Sequence, residues 1–325
     1  MTGQFKQGDR VTHYAERDLI GYGRTPPDPR WPNGARLAIN FVLNIEEGSE
    51  YSVGQDGFSE TTLTEMPESW VARGERDLAA ESMFEYGSRA GVWRVLRLFE
   101  ERDLPLTLFA CAQPLEQQPA LAAAIRDGGY DVCCHGWRWI NHFTLSEAEE
   151  REHIRRAVMS LDATIGRRPL GWYCRYGPGL NTRRLLIEEG GFLYDSDAYN
   201  DDLPYWAEVE GRQQLVVPYT HANNDAKFVR GGFANARDYE IWHRDAFDFL
   251  YAEGRHTPKM MSVGLHARLI GHPARAAGLA RFLDHVARHK DVWVARRLAI
   301  AQHWRSEHPG RALSPINQGQ THSGS

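Results

Sequence analysis

Two adjacent acids stand directly after an apolar run: Leu37 to Leu43 leads into Asn44-Ile45-Glu46-Glu47-Gly48. Neighbouring carboxylates repel, so one tends to keep its proton or to bind a cation, and either state suits hydrolysis. Other reactive side chains follow apolar runs in the same way. His135 opens His135-Gly136-Trp137-Arg138-Trp139 directly after Cys133-Cys134, and Arg175 follows Cys174. Asp195 and Asp197 follow Phe192-Leu193-Tyr194, and His266-Ala267-Arg268 follows Met260 to Leu265. A histidine there can act as acid or base, ligate a metal, or pair with a buried carboxylate. An arginine can hold a carboxylate or a carbonyl oxygen. Strands must end in something polar, so a set of unrelated surface residues could imitate this pattern.

These groups are spread over more than two hundred residues, so only the fold can gather them. The run from Leu37 is short and mostly apolar, as a strand covered on both faces should be. Helical and strand-like segments then alternate. Val92, Val95, Leu96 and Phe99 are spaced for one helix face. Strands are expected at residues 105–111, 130–134, 170–174, 192–195, 214–219, 259–266 and 291–295. Helices are expected at 119–126, from the Ser146-x-x-Glu149 capping box, from Asn181 to the Gly190-Gly191 stop, and at 236–253 and 273–289, with a last one ending near Trp304. About eight strands separated mostly by helices predict an α/β fold, a parallel (β/α) barrel or a distorted relative. Such barrels gather their strand ends on one face, where active sites are built.

The polar segment at about 49–85 is long for a connection and reads as an insertion, serving as a lid or an oligomer contact. Residues 1–305 form one expected domain and 306–325 a flexible tail. The 325 residues carry a net charge of −5, so no basic footprint for nucleic acid or a membrane surface is visible. No apolar stretch approaches the ~20 residues of a membrane span. With no hydrophobic signal core at the N-terminus and four cysteines without C-x-x-C spacing, buried thiols in the cytoplasm are expected.

Taken in order, several passages resemble the polysaccharide deacetylase superfamily, and within it the bacterial allantoinase branch that works without the usual metal. The most specific are GSRAGVWR (87–94), HGWRW (135–139), NTRRLLIEEGGFLYDSD (181–197), NDDLPYW (200–206) and GLHARLIGHPAR (264–275). The resemblance implies a distorted barrel of the NodB-like type and hydrolysis of amide bonds. Superfamily deacetylases carry two Asp in the first motif, one as base and one as metal ligand; Glu46 and Glu47 stand at those positions. The second motif normally reads His-x-x-x-His, both binding the metal; here its second position is Trp139. An indole donates one hydrogen bond and has no lone pair for a metal. Arg175 and His266 match the motifs that orient the base and supply the acid. The loops at Cys174–Leu180 and Asn141-His142 depart from the allantoinase pattern.

The expected activity is a hydrolase opening a small cyclic amide or ureide, allantoin to allantoate first. Glu46, favoured over Glu47, activates water, and His266 protonates the leaving nitrogen. Arg175, His135 or Arg268 stabilises the oxyanion, with Trp139, Trp137 and Asp197 as further pocket residues. No cofactor is expected; the alternative is a divalent metal rebuilt on Glu47, His135 and His142, although His142 by itself reads as exposed. Rival functions are a hydrolase of cyclic imides, hydantoins or dihydropyrimidines, a metal-dependent N-deacetylase, and a binding protein without chemistry. The partner is a small-molecule substrate, with no nucleic acid or membrane, and the resemblance implies a homo-oligomer, a tetramer.

Overall fold

The computed structural model describes residues 17–66 and 68–311. At its centre lies β1 (Leu37–Ile45), buried over its whole length. One edge of β1 pairs in parallel with β8 (Lys259–His266) from residue 37 to residue 44. The other edge is shared: β9 (Val292–Val294) lies beside residues 37–39 and β2 (Thr107–Ala110) beside residues 42–45. From β2 the sheet continues in parallel through β3 (Asp131–Cys134), β4 (Gly171–Trp172) and β5 (Tyr194–Asp195) to β7 (Arg212–Val216). It ends in β6 (Tyr205–Val209), antiparallel to β7. After β7 the chain returns to β8, where the Gly264 amide donates to the Asn223 carbonyl and the Asp225 amide to Gly264. The sheet thus curls most of the way round into the expected α/β barrel, in distorted form.

Eight strands are expected, and nine are present among the described residues. The extra one, β6, begins at Tyr205-Trp206, where no strand is expected. Its residues are only half-buried, so it lacks the apolar stretch or clean alternation that marks a strand. The helices follow the signals more closely. Ser146 and Glu149 cap each other at the start of helix Glu147–Ile165, and helix Ala236–Glu253 has the expected bounds behind an Asn235/Asp238 box. Asn181 precedes helix Thr182–Glu189, but its side chain makes no capping bond. The last helix, Arg297–Glu307, runs past Trp304, and the His308 ring packs on Trp304 at 4.3 Å. This helix includes residues 306 and 307 of the expected tail, and residues 312–325 lie outside the described residues.

Strand alternation decides which side of β1 does chemistry. Leu37, Ile39, Phe41, Leu43 and Ile45 join the large core beneath the helices, with Val92, Val95 and Phe99. Ala38 and Val42 pack inside the curl with Phe109, Cys133 and Tyr219. Asn40, Asn44 and Glu46 share that inner phase. At the base of the curl is Arg297, fully buried. Its guanidinium donates to Asn40 Oδ1 (2.7 Å), Ser262 Oγ (3.0 Å), Ser196 Oγ (2.7 Å) and the Val217 and Pro218 carbonyls. Five neutral oxygens hold this cation; among the described residues no carboxylate pairs with it.

Candidate active site

Glu46 lies one residue past the end of β1, buried, with three groups around its carboxylate. Oε1 is 3.2 Å from His135 Nε2 and 3.7 Å from His266 Nε2, while Oε2 is 2.7 Å from Arg268 Nη2. Burial opposes ionisation, but Arg268, then His266 and His135, outweigh it and hold Glu46 well below the usual carboxylate range. Both imidazoles are fixed from behind. His135 Nδ1 lies 2.9 Å from the Tyr173 carbonyl, and because a carbonyl only accepts, Nδ1 carries the hydrogen. His266 Nδ1 lies 2.6 Å from Asp225 Oδ1, and the other Asp225 oxygen accepts from the His266 and Ile270 amides. Each histidine therefore presents Nε2 to Glu46.

Glu47 points the other way. Its carboxylate accepts from the Glu46 and Arg268 amides and from Arg268 Nη1 (3.2 Å). Burial, and the charge on Glu46, raise its pKa against the pull of Arg268. The adjacent acids are thus separated by strand alternation, with Glu46 in the curl and Glu47 under a helix. That helix, Leu78–Tyr86, passes through a π-helical turn at Gly87–Gly91 before continuing as Val92–Glu100. A Cβ on Gly87 would stand 2.5 Å from Glu47 Oε1, and one on Gly91 would meet the Ala267 carbonyl. The two glycines of GSRAG let the helix approach the acid and the His266–Arg268 strand end closely.

Segment 49–85 roofs the site. Asp56 pairs with Arg138, Glu60 pairs with Arg175 at 2.6 Å, and the Leu63 carbonyl accepts from Arg268 Nε. Arg175 lies flat on Trp139, 3.7 Å from its ring centre, and donates to the Trp139 carbonyl. Its Nε has no partner. Glu46, His135, Trp139, Arg175 and His266 line one cavity with Asn44, Leu63, Tyr176, His221, Asn224 and Arg230. The cavity is about 10 Å³, room for roughly one water. Leu63 and Tyr176, two of its lining residues, both have left-handed backbones (φ 58° and 55°). Such conformations cost about 1–3 kcal/mol each in non-glycine residues and gather at ligand clamps. The insertion therefore covers the site.

Some expected residues are not brought here. Trp137 packs outside, beneath Arg156 (3.2 Å to its ring centre) and hydrogen-bonded to Glu116. His142 is buried rather than exposed: Nδ1 pairs with Glu150 at 3.0 Å and the ring packs against His153 and Trp172. Among the described residues it forms no metal-ligand group with Glu47 and His135. Cys174 is a buried thiol beside Asp197. Asp197 fixes neither Arg175 nor His266; it accepts from the Cys174 amide. The acid that fixes His266 is Asp225, whose signal was the polar run His221-Ala222-Asn223-Asn224-Asp225 beyond a strand end.

Burial, and next the charge on Asp195, push Asp197 up to about 8. The folded chain then keeps a proton that the unfolded chain loses above pH ~4, so this group takes away stability as pH rises from about 4 to 8. Asp197→Asn should remove that slope: its stability relative to wild type should rise between pH 5 and pH 8 in paired denaturant titrations. A difference that stays flat or falls would place the proton elsewhere.

Residues 75–194 match the polysaccharide deacetylase family description. A Schizosaccharomyces pombe protein provisionally named a polysaccharide deacetylase is 41% identical over 323 residues, covering 92% of this chain and all of that protein. The chain belongs to the polysaccharide deacetylase family. Two solved structures are similar throughout. One, from Pseudomonas aeruginosa PAO1 and also provisionally named a polysaccharide deacetylase, is 51% identical with a TM-score of 0.87, over 91% of this chain and 99% of the other. PuuE allantoinase is 50% identical with a TM-score of 0.88, over 92% of this chain and 100% of the other. Membership of the polysaccharide deacetylase family makes the chain a hydrolase on the NodB-like barrel. The matched family region holds His135, Trp139 and Arg175, while Glu46 and His266 enter from strands outside it.

Proposed function

We propose that this hydrolase opens the ring of a small cyclic amide or ureide, allantoin first, using water activated by Glu46. The carrying observation is a buried carboxylate between two Nε2 atoms, each fixed by a backbone or carboxylate partner. Glu46 takes the proton from water as it attacks the ring carbonyl. An imidazolium at His266, held between Asp225 and Glu46, gives its Nε2 proton to the departing nitrogen. The unpartnered Arg175 Nε lies on the cavity wall to receive the oxyanion, joined by His135 when both of its ring nitrogens carry hydrogen. Arg268 keeps Glu46 a weak base while the site is empty. Their ion pair is 2.7 Å long and buried. A substrate carbonyl that draws Arg268 aside raises the basicity of Glu46 when it is needed.

The family's metal does not suit this donor set. Trp139 stands at a ligand position, the Arg268 guanidinium already supplies the positive charge beside Glu46, and Glu47 is committed to Arg268. The roofed, water-sized cavity also favours a small molecule admitted by movement of Leu63 and Tyr176 over a polymer lying in an open groove. PuuE allantoinase, similar along its whole length, supports the choice of ring.

The test is ring opening across allantoin, hydantoin, dihydrouracil and succinimide, with an N-acetylated sugar as the deacetylase control, each with and without chelator. Turnover of allantoin unaffected by chelator is expected. Deacetylation abolished by chelator would replace this reading. His266→Ala should cost far more on allantoin than on succinimide, whose nitrogen leaves as an anion stabilised by two carbonyls. General acid catalysis contributes typically 10²–10⁴-fold, so equal losses on both substrates would make His266 a positioning residue.

A further inference from the structure

A second cluster of reactive side chains lies far from the catalytic cavity. Asp248 sits on helix Ala236–Glu253, His285 near the end of helix Pro273–Val286, and His289 one turn further on. Ligand atoms of all three lie within 4.8 Å of one another, and among the described residues this is the one such group of three. His289 stands three residues before Val292, which pairs with Leu37 at the start of β1. The cluster therefore belongs to the end of β1 opposite Glu46, about 30 Å away along nine strand residues.

His289 Nδ1 lies 3.0 Å from the His285 carbonyl and so must carry the hydrogen, which leaves the Nε2 lone pair free. A backbone partner behind a ligating histidine is how metal sites fix the tautomer and aim of an imidazole. Phe247 and Tyr251 wall the His289 ring at centroid distances of 4.8 and 4.9 Å, and Phe247 stands 5.5 Å from His285. Asp248 Oδ1 is 2.7 Å from His285 Nε2. Zn–N and Zn–O bonds of about 2.0–2.2 Å at a tetrahedral angle need roughly 3.3 Å between those ligand atoms. Asp248 is half-exposed (47%) and can give that distance by a small rotation, leaving the fourth position to solvent.

We propose that Asp248, His285 and His289 form a peripheral site for a borderline divalent transition metal, zinc foremost, which clips the two helices together. Two imidazoles and one carboxylate are the ligand set that zinc accepts, and they disfavour calcium and magnesium. An Asp248–His285 ion pair alone would also tether the helices, but it gives no role to the fixed tautomer of His289.

The untagged full chain, stripped with chelator, is titrated with Zn²⁺ by calorimetry and with Co²⁺ by visible absorption. One equivalent should bind, with a rise in melting temperature. His289→Gln should weaken binding at least tenfold while leaving the Asp248–His285 pair and the circular dichroism unchanged. Asp248→Asn should weaken it too, and a folded Asp248→Asn keeps the proposal testable should His289→Gln prove unstable. Failure to bind either ion, or binding untouched by both substitutions, would overturn the site. So would loss of binding on His135→Gln, which would move the metal to the catalytic cavity.

Discussion

Glu46→Gln should lower turnover by about 10²–10⁴-fold, the contribution expected of a general base, with little change in KM or fold. The amide keeps the shape of the side chain but cannot take a proton from water. The fold should survive because Arg268 retains Glu47 at 3.2 Å, so no buried guanidinium is orphaned. Glu47→Gln should behave in the opposite sense. Glu47 holds the Glu46 and Arg268 amides and does not line the catalytic cavity. Its loss should appear as a lower denaturation midpoint, with the rate following only as Arg268 loosens. Single-turnover rates and urea midpoints for the two variants separate the roles. If Glu46→Gln keeps more than ~10% of wild-type turnover, against the loss expected of a base, the base is another group.

Arg297→Met should be the most damaging stability change in the molecule, costing about 3–5 kcal/mol or more. Methionine fills much of the same space but strands Asn40 Oδ1, the Ser196 hydroxyl and the Val217 carbonyl inside the curl, while Ser262 Oγ and the Pro218 carbonyl keep each other. Each buried, unsatisfied group costs about 1–3 kcal/mol, a large part of the 5–15 kcal/mol that holds a domain folded. The guanidinium also lies 5.6 Å from the ring centre of Tyr219, whose hydroxyl receives Asn44 at the floor of the cavity. Poor soluble yield, or a greatly lowered urea midpoint, is the expected outcome. A loss below ~1 kcal/mol would mean that water satisfies those oxygens in its place.

Hydrophobic patterning and motif spacing made legible the repeating strand–helix order, the distorted parallel barrel, and the strand ends at Glu46, His135, Arg175 and His266. These are legible because burial imposes a period on the chain and because reactive groups after buried strands share one face. The sequence also marked Trp139 as a poor ligand, since that follows from the chemistry of an indole. Tertiary structure alone decided the rest. Which of two adjacent acids faces the cavity depends on the phase of β1, set by the pairing of Leu37–Asn44 with β8. That Asp225, and not Asp197, supports His266 depends on the chain after β7 returning to Gly264, a contact between residues about 40 apart that leaves no periodic trace. The burial of His142, the outward packing of Trp137 and the place of Arg297 at the base of the curl are likewise non-local. A polar side chain carries no mark in sequence of the partner that makes its burial affordable, and only the assembled fold supplies that partner.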